Sequence, residues 1–372
     1  MIQKVKNMVS KKPKFYSLER IKKKNAVYNV IFGERSNGKT YAALKESIEQ
    51  YFENGGQVGI VRRWQEDIKG KRASGIFSAL NENGEILRIS NGKYEGVTYY
   101  SGRFYVCNYG DNGKPVYSDD DCIGHVFALS DSEHNKSISF PKITTIIFDE
   151  FLTKHTYLQD EFVLFMNTVS TIVRQRKDVK IYMLGNTVNK YCPYFTEMGL
   201  NHITKMEQGT IDVYKYGKSG LSVAVEYCES TQKSKDNNFY FAFNNPKLEM
   251  ITGGAWELDI YPHLPYKYKP KNIMFTYYIE FSEQLFSCDV IQLDSVMFTF
   301  ISRKTTPLQR KPFDLIYTFE PNVEMNYSRN IYKPVNAIQK KVLWFFENGR
   351  VYYQDNEVGD TISNYLKICM RG

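Results

Sequence analysis

Four short stretches hold residue types that handle phosphate and metal. The first, IFGERSNGKT (31–40), contains Gly33-x-x-x-x-Gly38-Lys39-Thr40. Glycines at 33 and 38 permit backbone conformations that turn the N–H groups of Glu34, Arg35, Ser36 and Asn37 inward around an anion. Lys39 brings a positive charge to the β- and γ-phosphates of a nucleotide such as ATP. Thr40 offers a hydroxyl to Mg2+, and a helix opening here directs its positive end at the same ligand. The second stretch is TTIIFDEF (144–151), an apolar run closing on two acids. Asp149 at the strand end reaches Mg2+, usually through water. Glu150 can orient and deprotonate a water for in-line attack on a γ-phosphate. Third, Asn186 in LGNT ends another apolar run, where a polar side chain can sense the γ-phosphate. Fourth, Arg174 and Arg176 in STIVRQRKD end a helical pattern. That placement suits an arginine reaching a neighbouring subunit's nucleotide, and equally the cations a helix C-terminus favours.

The elements that must position these groups are legible around them. AVYNVIFG (26–33) reads as a buried strand, and KTYAALKESIEQYFENGG carries apolar residues at helical spacing and stops at Gly55-Gly56. QVGIVRR (57–63) is a second strand, so strand, phosphate loop, helix and strand form the βαβ unit of an α/β fold. The adjacent arginines of IVRRW (60–64) suit polyanion contact or nucleotide coupling. From 85 to 130 alternation takes over, and Asn91-Gly92, Ser101-Gly102 and Asn112-Gly113 predict hairpins in a β-meander. DSEHNKSISFPK (131–142) is a polar loop before the acidic strand, with Lys136 near its centre. A helix over 160–176 and strands over 180–187 and 220–228 complete a first domain at 1–228. ESTQKSKDNN opens a linker or lid at 229–265, and a smaller β-rich α+β domain follows at 266–372, with helices at 335–349 and 358–371.

The 372 residues suit two domains, and with 42% hydrophobic residues a sizeable core forms. The longest apolar runs fall short of the roughly 20 residues of a membrane-spanning helix, so no membrane partner is expected. Six cysteines are scattered without a C-x-x-C pair, and five histidines lack metal-ligand spacing. Neither a zinc site nor a disulfide framework follows, and a reducing cytosolic setting is expected. The net charge is +8, much of it early: Lys4, Lys6, Lys11, Lys12, Lys14, Arg20, Lys22, Lys23 and Lys24 face the single acid Glu19. A polyanionic partner and a solvated basic arm both fit.

The ordered set GERSNGKTY, IVRR, TTIIFDEF, VRQRKDVKIYMLGNT and CPYF resembles the DNA-packaging ATPases of small tailed phages, the phi-29-type encapsidation proteins. These belong with the large-terminase and FtsK/HerA-like motors. The resemblance spans about 26–200. It implies a P-loop ATPase domain with a central, mostly parallel sheet and an RNase H-like C-terminal domain that has lost nuclease activity. It also implies a homomeric ring of five subunits on the portal of a procapsid in the host cytoplasm, absent from the mature virion. There ATP hydrolysis drives double-stranded DNA inward, in some members with a structural packaging RNA. Carried over by motif, Lys39 and Thr40 hold phosphate and Mg2+, Asp149 holds Mg2+, and Glu150 is the catalytic acid. Arg174 matches the trans-acting arginine, with Arg176 the alternative, and Lys136 falls where the family grips DNA. An active nuclease would need acids holding two metals. Glu280, Glu283, Asp289 and Asp294 are present without a first-strand Asp in a Gly-flanked setting, so no cleavage is expected. An active terminase nuclease and a non-motor ATP-dependent assembly switch stand as alternatives.

Overall fold

The computed structural model describes residues 15–131, 138–153, 157–158, 160–188, 192–217, 219–229, 261–265, 267–282, 284–308, 314–319 and 327–370. Lys136, Glu283, the lysines before Phe15 and positions 230–260 of the expected linker lie outside them. The chain divides into two units, 1–257 and 258–372.

In the first unit, helix α1 (Glu19–Lys22) precedes β1 (Tyr28–Gly33), α2 (Lys39–Asn54) and β2 (Gln57–Arg62). Three short helices follow: α3 (Gly70–Ser74), α4 (Ser78–Glu82) and α5 (Glu85–Ile89). Then come β3 (Gly96–Tyr100), β4 (Arg103–Tyr109), β5 (Pro115–Val116), β6 (Cys122–Ala128) and β7 (Ile143–Asp149). Helix α6 (Glu161–Val173), β8 (Lys180–Asn186), α7 (Pro193–Glu197), β9 (Ile211–Tyr216) and β10 (Leu221–Tyr227) complete the order. The sheet runs β3-β4-β6-β2-β7-β8-β1-β10-β9, with β5 on β4. Its centre, β6 through β10, is parallel, and antiparallel strands close both margins.

Burial on both faces explains why the central strands are continuous apolar runs. Along β1, Val30 and Phe32 join one core with α6 and α7, while Ile31 joins the other with α2, α4 and α5. Strand alternation assigns the rest. Val58 and Ile60 face the α2 side and Val61 the α6 side, so Arg62 and Arg63 leave β2 in opposite directions.

One expected hairpin is absent. Residues 85–89 form α5, and Asn91-Gly92 ends that helix: both have positive φ (53° and 83°), and the Gly92 N–H reaches back to the Leu87 carbonyl at 2.8 Å. Two left-handed residues in series terminate a helix as well as they turn a hairpin. Ser101-Gly102 does join β3 to β4 as a two-residue turn, with φ of 46° and 80°. Asn112-Gly113 lies in the turn between β4 and β5. Strand β9, antiparallel to β10 at the sheet margin, went unread because its half-exposed residues show little alternation in hydrophobicity.

The second unit has an antiparallel meander of β11 (Ile273–Phe281), β12 (Gln284–Leu293) and β13 (Val296–Arg303). β14 (Ile316–Thr318) lies parallel to β11, β15 (Tyr327–Ser328) to β14 and β16 (Val351–Tyr353) to β13. The sheet runs β15-β14-β11-β12-β13-β16, a second sheet domain with mixed pairing. Two helices, Ala337–Glu347 and Asn356–Cys369, bury Val342 and Phe345, and Ile362 and Tyr365, and the Tyr365 ring packs against Phe281 of β11.

Candidate nucleotide site

Parallel pairing brings three strand ends to one edge. Gly33 of β1 sits opposite Asn186 of β8, and Asp149 of β7 opposite Leu184 of the same strand. The strand carrying Asn186 thus lies between the phosphate loop and the two acids. Side chains and backbone from these ends line an open cavity of roughly 260 Å³: Ser36–Tyr41, Asp149, Glu150 and Leu184–Asn186.

The loop owes its shape to Ser36 and Gly38, whose φ values are 58° and 93°. Gly33, expected to supply a special torsion, does not. It is the last residue of β1, and a Cβ there would stand 2.8 Å from the Cys228 Cβ, so close packing against the end of β10 excludes a side chain. Gly33, Glu34 and Arg35 are not among the residues lining the cavity; Glu34 is buried and Arg35 exposed. Gly38 is the N-cap of α2 and has no side chain to cap it, so apart from the Lys39 N–H, which Asn37 takes, the first-turn N–H groups stay available to an anion.

Lys39 is 6% exposed. Its Nζ donates to the Glu34 carbonyl at 2.6 Å, to Asn37 Oδ1 at 3.0 Å and to Asn186 Oδ1 at 3.3 Å. Burial lowers its pKa, against the opposing pull of Cys228, Asp149 and Glu34. The Asn37 side chain also accepts from the Lys39 backbone N–H at 3.2 Å, and its carbonyl accepts from the Tyr16 N–H at 2.9 Å. The segment before α1 is thereby fastened to the loop. The Tyr16 hydroxyl in turn donates to the buried Glu226 at 2.7 Å.

Across the cavity the Thr40 hydroxyl donates to Asp149 Oδ1 at 3.1 Å. These two hard oxygen donors side by side fit the chemistry of Mg2+. Arg62 grips both acids, Nη2 on Asp149 Oδ2 at 2.9 Å and Nη1 on Glu150 Oε2 at 2.8 Å. Glu150 adopts a left-handed backbone, φ 61°, and its side chain is 66% exposed. It therefore stands at the rim, where a water is accessible.

Arg63 leaves β2 on the other face, 6% exposed and buried among α6 and its neighbours, so it is unavailable to a polyanion. The sequence offered a usable signal: two adjacent arginines ending a strand face opposite sides.

Arg174 and Arg176 are elsewhere. Arg176 donates to the carbonyls of Phe140 and Ile143 at the start of β7, at 3.3 and 2.7 Å, and to that of Ile172 in α6 at 3.1 Å. Arg174, exposed and left-handed at the end of α6, donates to the Ile138 carbonyl at 2.9 Å. Asp149 ends the same strand, six residues or about 20 Å away, so neither arginine is placed to reach its own subunit's cavity.

In the second unit, Asp289 accepts from Thr276 Oγ1 at 2.7 Å and Tyr268 OH at 3.4 Å. Among the described residues no three His, Cys, Asp or Glu side chains group to hold a metal.

The family model for the podovirus DNA encapsidation protein (Gp16) matches residues 10–356. The DNA packaging protein of Bacillus phage B103 is 27% identical over 177 residues, 47% of this chain and 48% of that one. The chain thus spans about half the length of the curated relatives it matches. A chain of the bacteriophage Phi-29 viral genome packaging motor assembly superposes with a TM-score of 0.56 at 20% identity, covering 96% of this chain and 98% of that chain. One from the Phi-28 gp11 DNA packaging motor gives 0.54, also at 20% identity, with the same coverage. At that identity the likeness is one of fold.

Proposed function

Because the chain belongs to the podovirus DNA encapsidation protein (Gp16) family, we propose that it is an ATP hydrolase that drives double-stranded viral DNA into a procapsid. It works as a homomeric ring, of five subunits, docked on the portal in the host cytoplasm, in some settings beside a packaging RNA. The observation that carries the reading is the convergence of Lys39, Thr40, Asp149, Glu150 and Asn186 on one cavity at the edge of β1, β8 and β7.

Thr40 and Asp149 would hold Mg2+, which supplies charge neutralisation at the β- and γ-phosphates. The loop N–H groups and the uncapped start of α2 bind the phosphate oxygens, and Lys39 turns from its three oxygen partners toward them. Glu150 takes the proton of the attacking water. Arg62 holds one oxygen of that carboxylate at 2.8 Å and leaves the other to the water, so Arg62 orients the base while competing for its charge. Arg174 acts on the neighbour's nucleotide, and Lys136 touches DNA phosphate.

DNA contact falls on phosphate, because a packaging motor must accept any sequence. The test is ATP turnover by the purified chain with and without long double-stranded DNA at low and high salt, then with procapsids. Stimulation that fades with salt supports the motor. Turnover indifferent to DNA and procapsids alike would favour the assembly switch.

A further inference from the structure

Glu150 occupies a backbone conformation that costs a non-glycine residue free energy and persists only where its surroundings over-determine it. Three of its groups are held. Its N–H donates to Asp149 Oδ1 at 3.1 Å, and its carboxylate meets Arg62. The third hold comes from the opposite face of the sheet. Arg63 Nη1 donates to the Glu150 carbonyl at 3.2 Å and Nη2 to the Phe151 carbonyl at 2.8 Å.

Arg63 is itself fixed from all sides. Its Nε donates to Glu161 Oε2 at 2.8 Å, and its guanidinium lies 5.0 Å from the centre of the Tyr157 ring. Glu161, 2% exposed, is the first residue of α6. It also accepts from the Leu158 N–H at 2.7 Å and from the buried Tyr194 hydroxyl at 2.9 Å. Burial works against the charge on Arg63, and Glu161 outweighs it, so the guanidinium's pKa is raised. Each nitrogen of this buried fork has a partner, and a buried ion pair of this kind adds little net stability while its planar donors fix geometry.

We infer that Arg63, held by Glu161 and Tyr194, is the positioning residue that sets the Glu150 turn for turnover, acting on the backbone from behind while Arg62 acts on the side chain. This rests on the proposed ATP hydrolysis. It also makes α6 the rigid mount of the catalytic acid, with Arg174 at the helix's far end.

The test separates positioning from support. In the double variant Arg63→Met/Glu161→Gln both charges leave together, the volume is largely kept and the amide can still meet the Leu158 N–H and the Tyr194 hydroxyl, so the fold survives, yet the carbonyls of Glu150 and Phe151 lose their donor. Arg63→Lys keeps the charge beside Glu161 and removes the fork. For each, one measures the melting temperature, the stoichiometry and affinity of a fluorescent ATP analogue, and kcat and KM for ATP with double-stranded DNA. The expected result is near-wild-type melting, nucleotide stoichiometry and KM, with kcat down about 100-fold. A double variant that folds, binds and turns over within about threefold of wild type would overturn the inference, and so would an Arg63→Lys chain with unchanged kcat. Wild-type protein that binds ATP without hydrolysing it, alone or with DNA and procapsids, would instead overturn the hydrolase reading and this inference with it.

Discussion

In the proposed mechanism Lys39 serves binding and Glu150 serves turnover. Lys39→Ala removes the buried cation, and nucleotide affinity should fall at least tenfold, read by titration with a fluorescent analogue. Glu150→Gln keeps shape and hydrogen bonding but not basicity. ATP binding should persist while turnover falls by about 10²–10⁴; unchanged turnover would remove Glu150 from its role. Because burial lowers the Lys39 pKa, the ammonium is lost at a lower pH than an exposed lysine would require. Nucleotide affinity should therefore decline on the alkaline side from below the ordinary lysine range, and Lys39→Arg should push that limb upward, as binding titrations across pH would record. At this scale much was legible. Lys39, Thr40, Asp149, Glu150 and Asn186 were identifiable because each is a phosphate- or metal-handling residue type in the Gly-rich loop or at the end of an apolar run. The hold of Arg62 on both acids was not, since it depends on β2 lying beside β7, which the sequence order does not state.

Strands β1, β7 and β8 could be read directly because burial on both faces demands unbroken apolar runs, and α2 because Gly38 and Gly55 bracket it. Asn91-Gly92 misled for a physical reason: the left-handed pair required by a two-residue turn is also what stops α5. The ends of elements make sharper predictions than their middles. Arg176 ties the end of α6 to the start of β7 through the Phe140 and Ile143 carbonyls, so Arg176→Ala should lower the melting temperature. Arg174→Ala, at an exposed position with one carbonyl contact, should leave it unchanged. In mixed rings an Arg174→Ala subunit should be silent toward its neighbour's nucleotide yet retain a working loop of its own. Normal hydrolysis by Arg174→Ala alone would move the role to Arg176. On β6, His125 packs edge-on against Phe140, 5.1 Å between ring centres. Burial, and secondarily Arg103, lowers its pKa to about 4. The unfolded chain takes up a proton near pH 6.5 and the folded chain does not. Stability is thus lost as pH falls from about 6.5 toward 4. Denaturant unfolding at pH 7 and pH 5 should show a smaller difference in His125→Gln than in wild type.

For the molecule as a whole, the expected partner is long, negatively charged and read without regard to sequence. DNA affinity should fall linearly in log–log form with salt, by about 0.9 per phosphate neutralised, and should be equal for scrambled duplexes; strong sequence preference in competition binding would contradict it. Plasmid nicking with Mg2+ or Mn2+ that disappears in Asp289→Ala would revive the terminase alternative. The two ends of β7 carry a last consequence. Asp149 and Glu150 lie at one end and the arginines about 20 Å away at the other, so under the proposed trans role of Arg174 a solitary protomer would hold only half of a working centre. The total rate of hydrolysis would then follow a reaction order in protein above one. On dilution it should collapse more steeply than the protein concentration, and it should recover when subunits are again brought within reach of one another.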